Sequence, residues 1–110
     1  MWLVRQAASE LVGEADIAGN AVPMIDEYDP GSDSWRSRAP MPKGLDHIGI
    51  AVIDGKIYTV GGFIGSVHRG AVSDVYRYDP DTDHWQTLAP MKSPSGAVGV
   101  TVLDGKIYAI

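Results

Sequence analysis

The chain of 110 residues contains no cysteine, which excludes disulfides and thiolate metal sites within it. It has a single phenylalanine, and no apolar run approaches the roughly 20 residues that a membrane-spanning helix requires. Basic residues are few: 9 Lys and Arg stand against 14 Asp and Glu, a net charge of −5. With no cluster of positive charge, nucleic acid is not an expected partner. The Asp residues fall mostly in turn-like stretches and read as solvated loop surface, not as an acidic tail. Met1-Trp2-Leu3-Val4-Arg5 is too short an apolar run for a secretory signal, and Arg5 and Glu10 interrupt it. After residue 11 no segment has helical periodicity. The three histidines, His47, His68 and His84, share no metal-ligand spacing with one another or with a carboxylate. No Ser/His/Asp arrangement or close carboxylate pair is readable, so no catalytic residue, cofactor or metal is assigned.

What the chain does have is a repeat. Tyr28-Asp29-Pro30 returns as Tyr78-Asp79-Pro80, Trp35 as Trp85, and Ala39-Pro40-Met41 as Ala89-Pro90-Met91. Asp54-Gly55-Lys56-Ile57-Tyr58 returns as Asp104-Gly105-Lys106-Ile107-Tyr108, and Gly49 as Gly99, each at an offset of 50. A fixed period of this size marks a propeller or solenoid array. The pair Gly61-Gly62 has no second copy, because the chain stops at Ile110. The sequence is accordingly expected to be a fragment or a truncated product of about two units.

Each unit reads as four short strands. Ile48 to Ile53 is almost continuously apolar and suggests an inner strand buried on both faces. Asp54-Gly55 between apolar runs is a hairpin signal, since both residues accept the positive φ of a type I′ turn. Lys56 to Val60 returns. Phe63 to Gly70 reads as a loop, Val72 to Tyr78 as a third strand, and Asp79-Pro80 as a turn into a strand around Trp85. His84 is expected to be solvated in that turn. Proline-containing connectors, Ala39 to Gly44 and its counterpart, lie outside sheets. At the N-terminus, residues 1–10 read either as strand or as a short helix or disorder. Leu11 to Gly13 reads as a degenerate strand end, with Glu14 where a second glycine belongs. Expected units are 1–23, the degenerate end of a preceding blade or a disordered stretch; 24–46, the outer half of a blade; 47–94, a complete blade; and 95–110, the inner hairpin of the next. Four antiparallel strands at this period describe a propeller blade, so the fold class is all-β, an incomplete β-propeller.

The run DGKIYTVGG followed by VYRYDPDTDHWQTLAPM resembles the kelch repeat of β-propellers, through the Gly61-Gly62 pair, Tyr78 and Trp85, over about residues 24 to 110. The resemblance implies structural roles for Gly61, Gly62, Tyr78, Trp85, Tyr28 and Trp35, joined by the hairpin residues Asp54, Gly55, Asp104 and Gly105. It implies that Gly61-Gly62 leaves room for the aromatics of the same blade, and that Gly49, Ala51 and Gly99 lie on the crowded axial strand. It also implies a scaffold that binds a protein or glycan through loops on one face, without catalysis: Phe63 to Gly70, Met41 to His47 and Met91 to Gly96. His47, near the channel mouth, and His68 with Arg69, in the loop, are the ligand-contacting candidates. The other reading is a piece of a kelch-type carbohydrate enzyme. A galactose-oxidase-like site needs a cysteine-linked tyrosine, which this segment cannot supply, and a sialic-acid epimerase-like protein is neither supported nor opposed. About two units cannot close a ring of about 4 to 8 blades, so further blades or self-association are expected.

Overall fold

In the computed structural model, residues 3–6, 23–65 and 69–110 are described. They form strands without helices. The strands are β1 (Leu3–Gln6), β2 (Ile25–Asp29), β3 (Ser34–Arg38), β4 (Gly49–Ile53), β5 (Lys56–Val60) and β6 (Phe63–Gly65). They continue with β7 (Arg69–Ala71), β8 (Val75–Asp79), β9 (His84–Thr87), β10 (Val100–Leu103) and β11 (Lys106–Ala109). One sheet is complete, four antiparallel strands in the order β4-β5-β8-β9. Before it stands a sheet β1-β2-β3, and after it the hairpin β10-β11.

The turns follow from their residues. Asp54 and Gly55 have φ of 51° and 73°, and Asp104 and Gly105 repeat them at 51° and 72°. These are the left-handed values that match hairpin twist. In the Asp-Pro turns the first Asp caps its own turn. Asp29 Oδ1 accepts from the Gly31 N–H at 2.8 Å, and Asp79 Oδ1 from the Asp81 N–H at 3.0 Å.

The core lies between the first sheet and the complete blade. Ile25, Met41, Leu45 and Tyr76 form a buried cluster, with Ile48, Val72 and Trp85 packed on it. Tyr78 is fully buried, and its ring stands 5.0 Å from that of Trp85. Tyr28 and Trp35 repeat this pair at 4.9 Å. The second interblade contact is at β4, where the Val100 side chain of β10 fills the space beside Gly49.

Several expectations change. The axial run is not buried on both faces: β4 alternates, with Gly49 and Ala51 buried but Ile50 41% and Val52 60% exposed. The small-residue side is taken by β10, and only that side is packed. Phe63 to Gly70 is not an open loop. β6 and β7 pair within it, Phe63 opposite Ala71 and Gly65 opposite Arg69. The third strand starts at Val75, because the Ser73 and Asp74 carbonyls accept from the Met91 and Gly61 N–H groups instead of a ladder partner. His84 is exposed, but as the first residue of β9. Residues 3–6 are strand rather than helix, pairing with β2 at Leu3↔Tyr28 and Gln6↔Ile25. That register reproduces Ile57↔Tyr78 and Val60↔Val75 in the complete blade. The Leu11 to Gly13 expectation lies outside the described residues.

Candidate functional site

The connections of the complete blade sort by end. The tight hairpins at Asp54-Gly55 and Pro80 to Asp83 lie at one end of the strands, and the longer connectors at the other. Backbone bonds tie these connectors together. Asp46 and Phe63 exchange N–H···O bonds at 2.9 Å each. The Gly62 N–H donates to Ser95 O at 3.0 Å, the Ala97 N–H to His47 O at 2.8 Å, and the Ser95 N–H to Val72 O at 3.1 Å. Segments 41–47, 61–65, 70–74 and 91–97 therefore form one surface.

Glycines make that convergence feasible. At Gly61 (φ 65°) a Cβ would overlap the Ser95 carbonyl, and at Gly62 (φ 114°) it would come 2.6 Å from Ile48 Cγ2 and 2.9 Å from Asp46 O. The obstruction is therefore the strap from the next blade and the Leu45 to Ile48 connector, not the aromatics of the same blade. Gly49 meets the crowding expected near the axis, whereas Gly99 has only Ile110 O, at 3.9 Å, within reach. Gly99 belongs to the last inner hairpin, where no further strand packs among the described residues.

On this surface the Phe63 ring covers Gly96, so a side chain there would collide with it. The His47 ring meets Phe63 edge-on at 6.2 Å, and His47 Nδ1 lies 3.3 Å from Asp46 Oδ1. His47 has φ 50° and Ala97 φ 54°, so one backbone kink recurs at the offset of 50 while the side chain differs. Ile64 is 44% exposed beside them. Lys43 Nζ donates to Asp74 Oδ2 at 2.8 Å, and the Tyr76 hydroxyl donates to the same oxygen at 2.5 Å. The Lys43 bond, then that from Tyr76, holds the Asp74 carboxyl below its ordinary value, while burial first and then Asp74 push the Tyr76 hydroxyl well up. Arg69 is the first residue of β7, opposite Gly65 of β6; His68 lies outside the described residues. Sequence reading placed Phe63 and Ile64 within the candidate loop Phe63 to Gly70 without singling them out; their signal is an aromatic and a β-branched residue directly after a glycine pair.

Tyr78 and Trp85 stand elsewhere, between the first sheet and the complete blade. The Tyr78 hydroxyl donates to Asp83 Oδ1 at 2.6 Å, as Tyr28 does to Asp33 at the same distance. Asp83 Oδ1 also accepts from the Ala39 N–H at 2.8 Å, and the Trp85 indole N–H donates to Ala39 O at 2.8 Å. Arg38, nearly buried, donates to Pro80 O at 2.6 Å and to the Tyr78 hydroxyl at 2.9 Å. Glu27 Oε1 accepts from Arg36 and Arg38. Among the described residues no group of three or more His, Asp or Glu side chains is placed to hold a metal.

The family described as Kelch motif matches residues 46–92. Mouse Kelch-like protein 35 is 41% identical over 46 residues, 42% of this chain and 8% of its own length. Zebrafish (Danio rerio) Kelch-like ECH-associated protein 1B is 44% identical over 48 residues, 44% of this chain and 8% of its own length. Kelch-like protein terF of Aspergillus terreus is 35% identical over 69 residues, 53% of this chain and 15% of its own length. Among solved structures, that of YjhT superposes with a TM-score of 0.69 at 28% identity, covering 80% of this chain and 28% of that one. The chain thus spans a small part of each of these relatives. With the period, the four-stranded sheet and these likenesses in agreement, residues 46–92 carry the Kelch motif and the fold is that of kelch-type β-propeller blades, with no closed ring among the described residues.

Proposed function

We propose that the chain serves as a kelch scaffold that binds a protein partner through the connector surface of its complete blade, and has no catalysis of its own. The observation that carries this reading is the convergence of segments 41–47, 61–65 and 91–97 on one backbone-bonded surface. It holds polar and apolar groups side by side: Lys43, Asp46, His47, Phe63 and Ile64. Loops carried on a rigid scaffold are where recognition concentrates. A glycan would meet the same groups, but exposed Ile64 favours the partly apolar surface of a protein. No observation among the described residues favours the carbohydrate-enzyme alternative.

The test is differential capture. A double variant, His47→Ala with Ile64→Ser, alters the connector surface, while Lys56→Ala with Asp81→Ala alters the hairpin end. A partner that binds the native chain and the hairpin-end variant, but loses about tenfold in affinity with the connector variant, supports the reading. Equal loss with both, or with neither, contradicts it.

A further inference from the structure

Away from the connector surface, the first sheet carries a polar cleft. Glu27 faces Arg36 across β2 and β3, and Asp29 faces Ser34, so the four side chains share one face of the sheet. Together they line a cleft of about 300 Å³. Glu27 is only 2% exposed. Its Oε1 accepts from Arg36 and, at 3.3 Å, from Arg38, which also bonds to Pro80 O and the Tyr78 hydroxyl. Glu27 therefore lies where the first sheet meets the complete blade. Its Oε2 is buried with no hydrogen-bond partner among the described residues. A carboxylate oxygen accepts about two hydrogen bonds, and an interior oxygen that makes none is costly. The complete blade is built without this arrangement. At the offset of 50, Glu27 is replaced by Arg77, Arg36 by Gln86 and Ser34 by His84, and Arg77 donates to Gln86 with no carboxylate in the pair. Asp29 alone recurs, as Asp79, and both cap their turns through Oδ1. The blade's own geometry thus accounts for Asp29 but not for Glu27 or Arg36.

We propose that this cleft binds a small zwitterion of the α-amino-acid class, its ammonium at Glu27 Oε2 and Asp29 and its carboxylate at Arg36. The volume suits a small organic molecule. It stands at the lower end of ligand sites, about 300 to 1,000 Å³, and far exceeds the roughly 30 Å³ share of a single water. The charges set the class. Glu27 and Asp29 supply two negative charges, and Arg36 and Arg38 two positive ones, so a neutral ligand bearing both signs matches the site better than a net cation or anion. An ammonium has three donors and no acceptor. It meets acceptors in Glu27 Oε2, in the Asp29 oxygen not spent on the Gly31 N–H, and in the Ser34 hydroxyl. Arg36 gives its Nε to Glu27 Oε1, and neither terminal amino group of its guanidinium has a hydrogen bond among the described residues. Those groups fit the two oxygens of a carboxylate. Exposure rises from 2% at Glu27 to 66% at Arg36, which puts the spare acceptor deep and the spare donors at the mouth. The site is built on β2 and β3, so it stands or falls independently of the protein-binding connector surface.

The test is an NMR titration of the isotope-labelled full chain with each standard amino acid in turn. At least one is expected to give saturable amide shifts concentrated in β2 and β3. Its affinity is expected to fall about tenfold in Glu27→Gln and in Arg36→Gln, the scale of one charge-assisted hydrogen bond. Arg36 is exposed, so its variant keeps the fold and decides the matter even where Glu27→Gln does not fold. Glycine betaine has both charges but no N–H donor, and is expected not to compete. No saturable shift with any amino acid, the result if Oε2 is met by water alone, would overturn the proposal. So would binding unchanged in Arg36→Gln, or equal competition by glycine betaine.

Discussion

Tyr78, Asp83 and Trp85 join the first sheet to the complete blade by bonds that also titrate. Burial first, and then the hydrogen bond to Asp83, push the Tyr78 hydroxyl from 10.0 up to about 12. A hydroxyl raised in the folded state stabilises the fold fully below its unfolded value and stops doing so as pH rises through its folded value. Stability should therefore fall between about pH 10 and about pH 12, and Tyr78→Phe should flatten part of that fall. Urea midpoints across the range check this, and a flat native profile would contradict it. Asp83 has the opposite sign. The Ala39 N–H, then the Tyr78 hydroxyl, lower its carboxyl below 3.8, so its contribution is present above that range and is lost as pH falls through the folded value. Because its side chain is 44% exposed, solvent screens the effect, and Asp83→Asn should remove only a modest part of the acid sensitivity. Trp85 combines ring packing with an indole bond to Ala39 O. Trp85→Ala should cost about 3 to 5 kcal/mol in a denaturant melt. A loss under about 1 kcal/mol, the scale of surface changes, would show that the ring is not part of the core.

At the scale of the element, sequence was most informative where the turn chemistry is unambiguous. Asp54-Gly55 and Asp104-Gly105 announce their hairpins because only residues tolerant of positive φ fit both central positions. The β6-β7 pair was not legible, since glycines at 65 and 70 read as loop punctuation and its partners lie only a few residues apart. The alternation of the third strand is hidden in sequence because its buried side chains, Tyr76 and Tyr78, carry polar tips, whereas its burial does alternate. Nor does an apolar run reveal that one side of β4 stays open, because that depends on which blades are its neighbours. The connector surface was legible as three separate loops but not as one, because it is assembled by backbone bonds to Gly62 and His47 that leave no side-chain pattern. Two glycines separate conformational cost from crowding. Gly55 has φ 73° and nothing within 4 Å of an added Cβ, so Gly55→Ala should cost about 1 to 2 kcal/mol. Gly61→Ala should cost more, since it adds an overlap with the Ser95 carbonyl. Paired urea melts give the order, and equal costs would contradict the strap contact.

For the molecule as a whole, the repeat made the blade legible but not its company. Among the described residues the complete blade is contacted on both sides: by the Arg38, Asp83 and Trp85 bonds on the outer side, and by Val100 against Gly49 on the inner. A solenoid-like array gains stability from such neighbours rather than from any unit alone. The complete blade, flanked on both sides, should accordingly be the most persistent part of the chain. Amide hydrogen exchange followed by mass spectrometry measures this directly. β5 and β8, paired on both edges at the centre of the four-stranded sheet, should exchange slowest. β9, paired on one edge only, should exchange faster. Exchange in β5 and β8 as fast as in β9 would contradict the claim that β4, β5, β8 and β9 form one four-stranded blade.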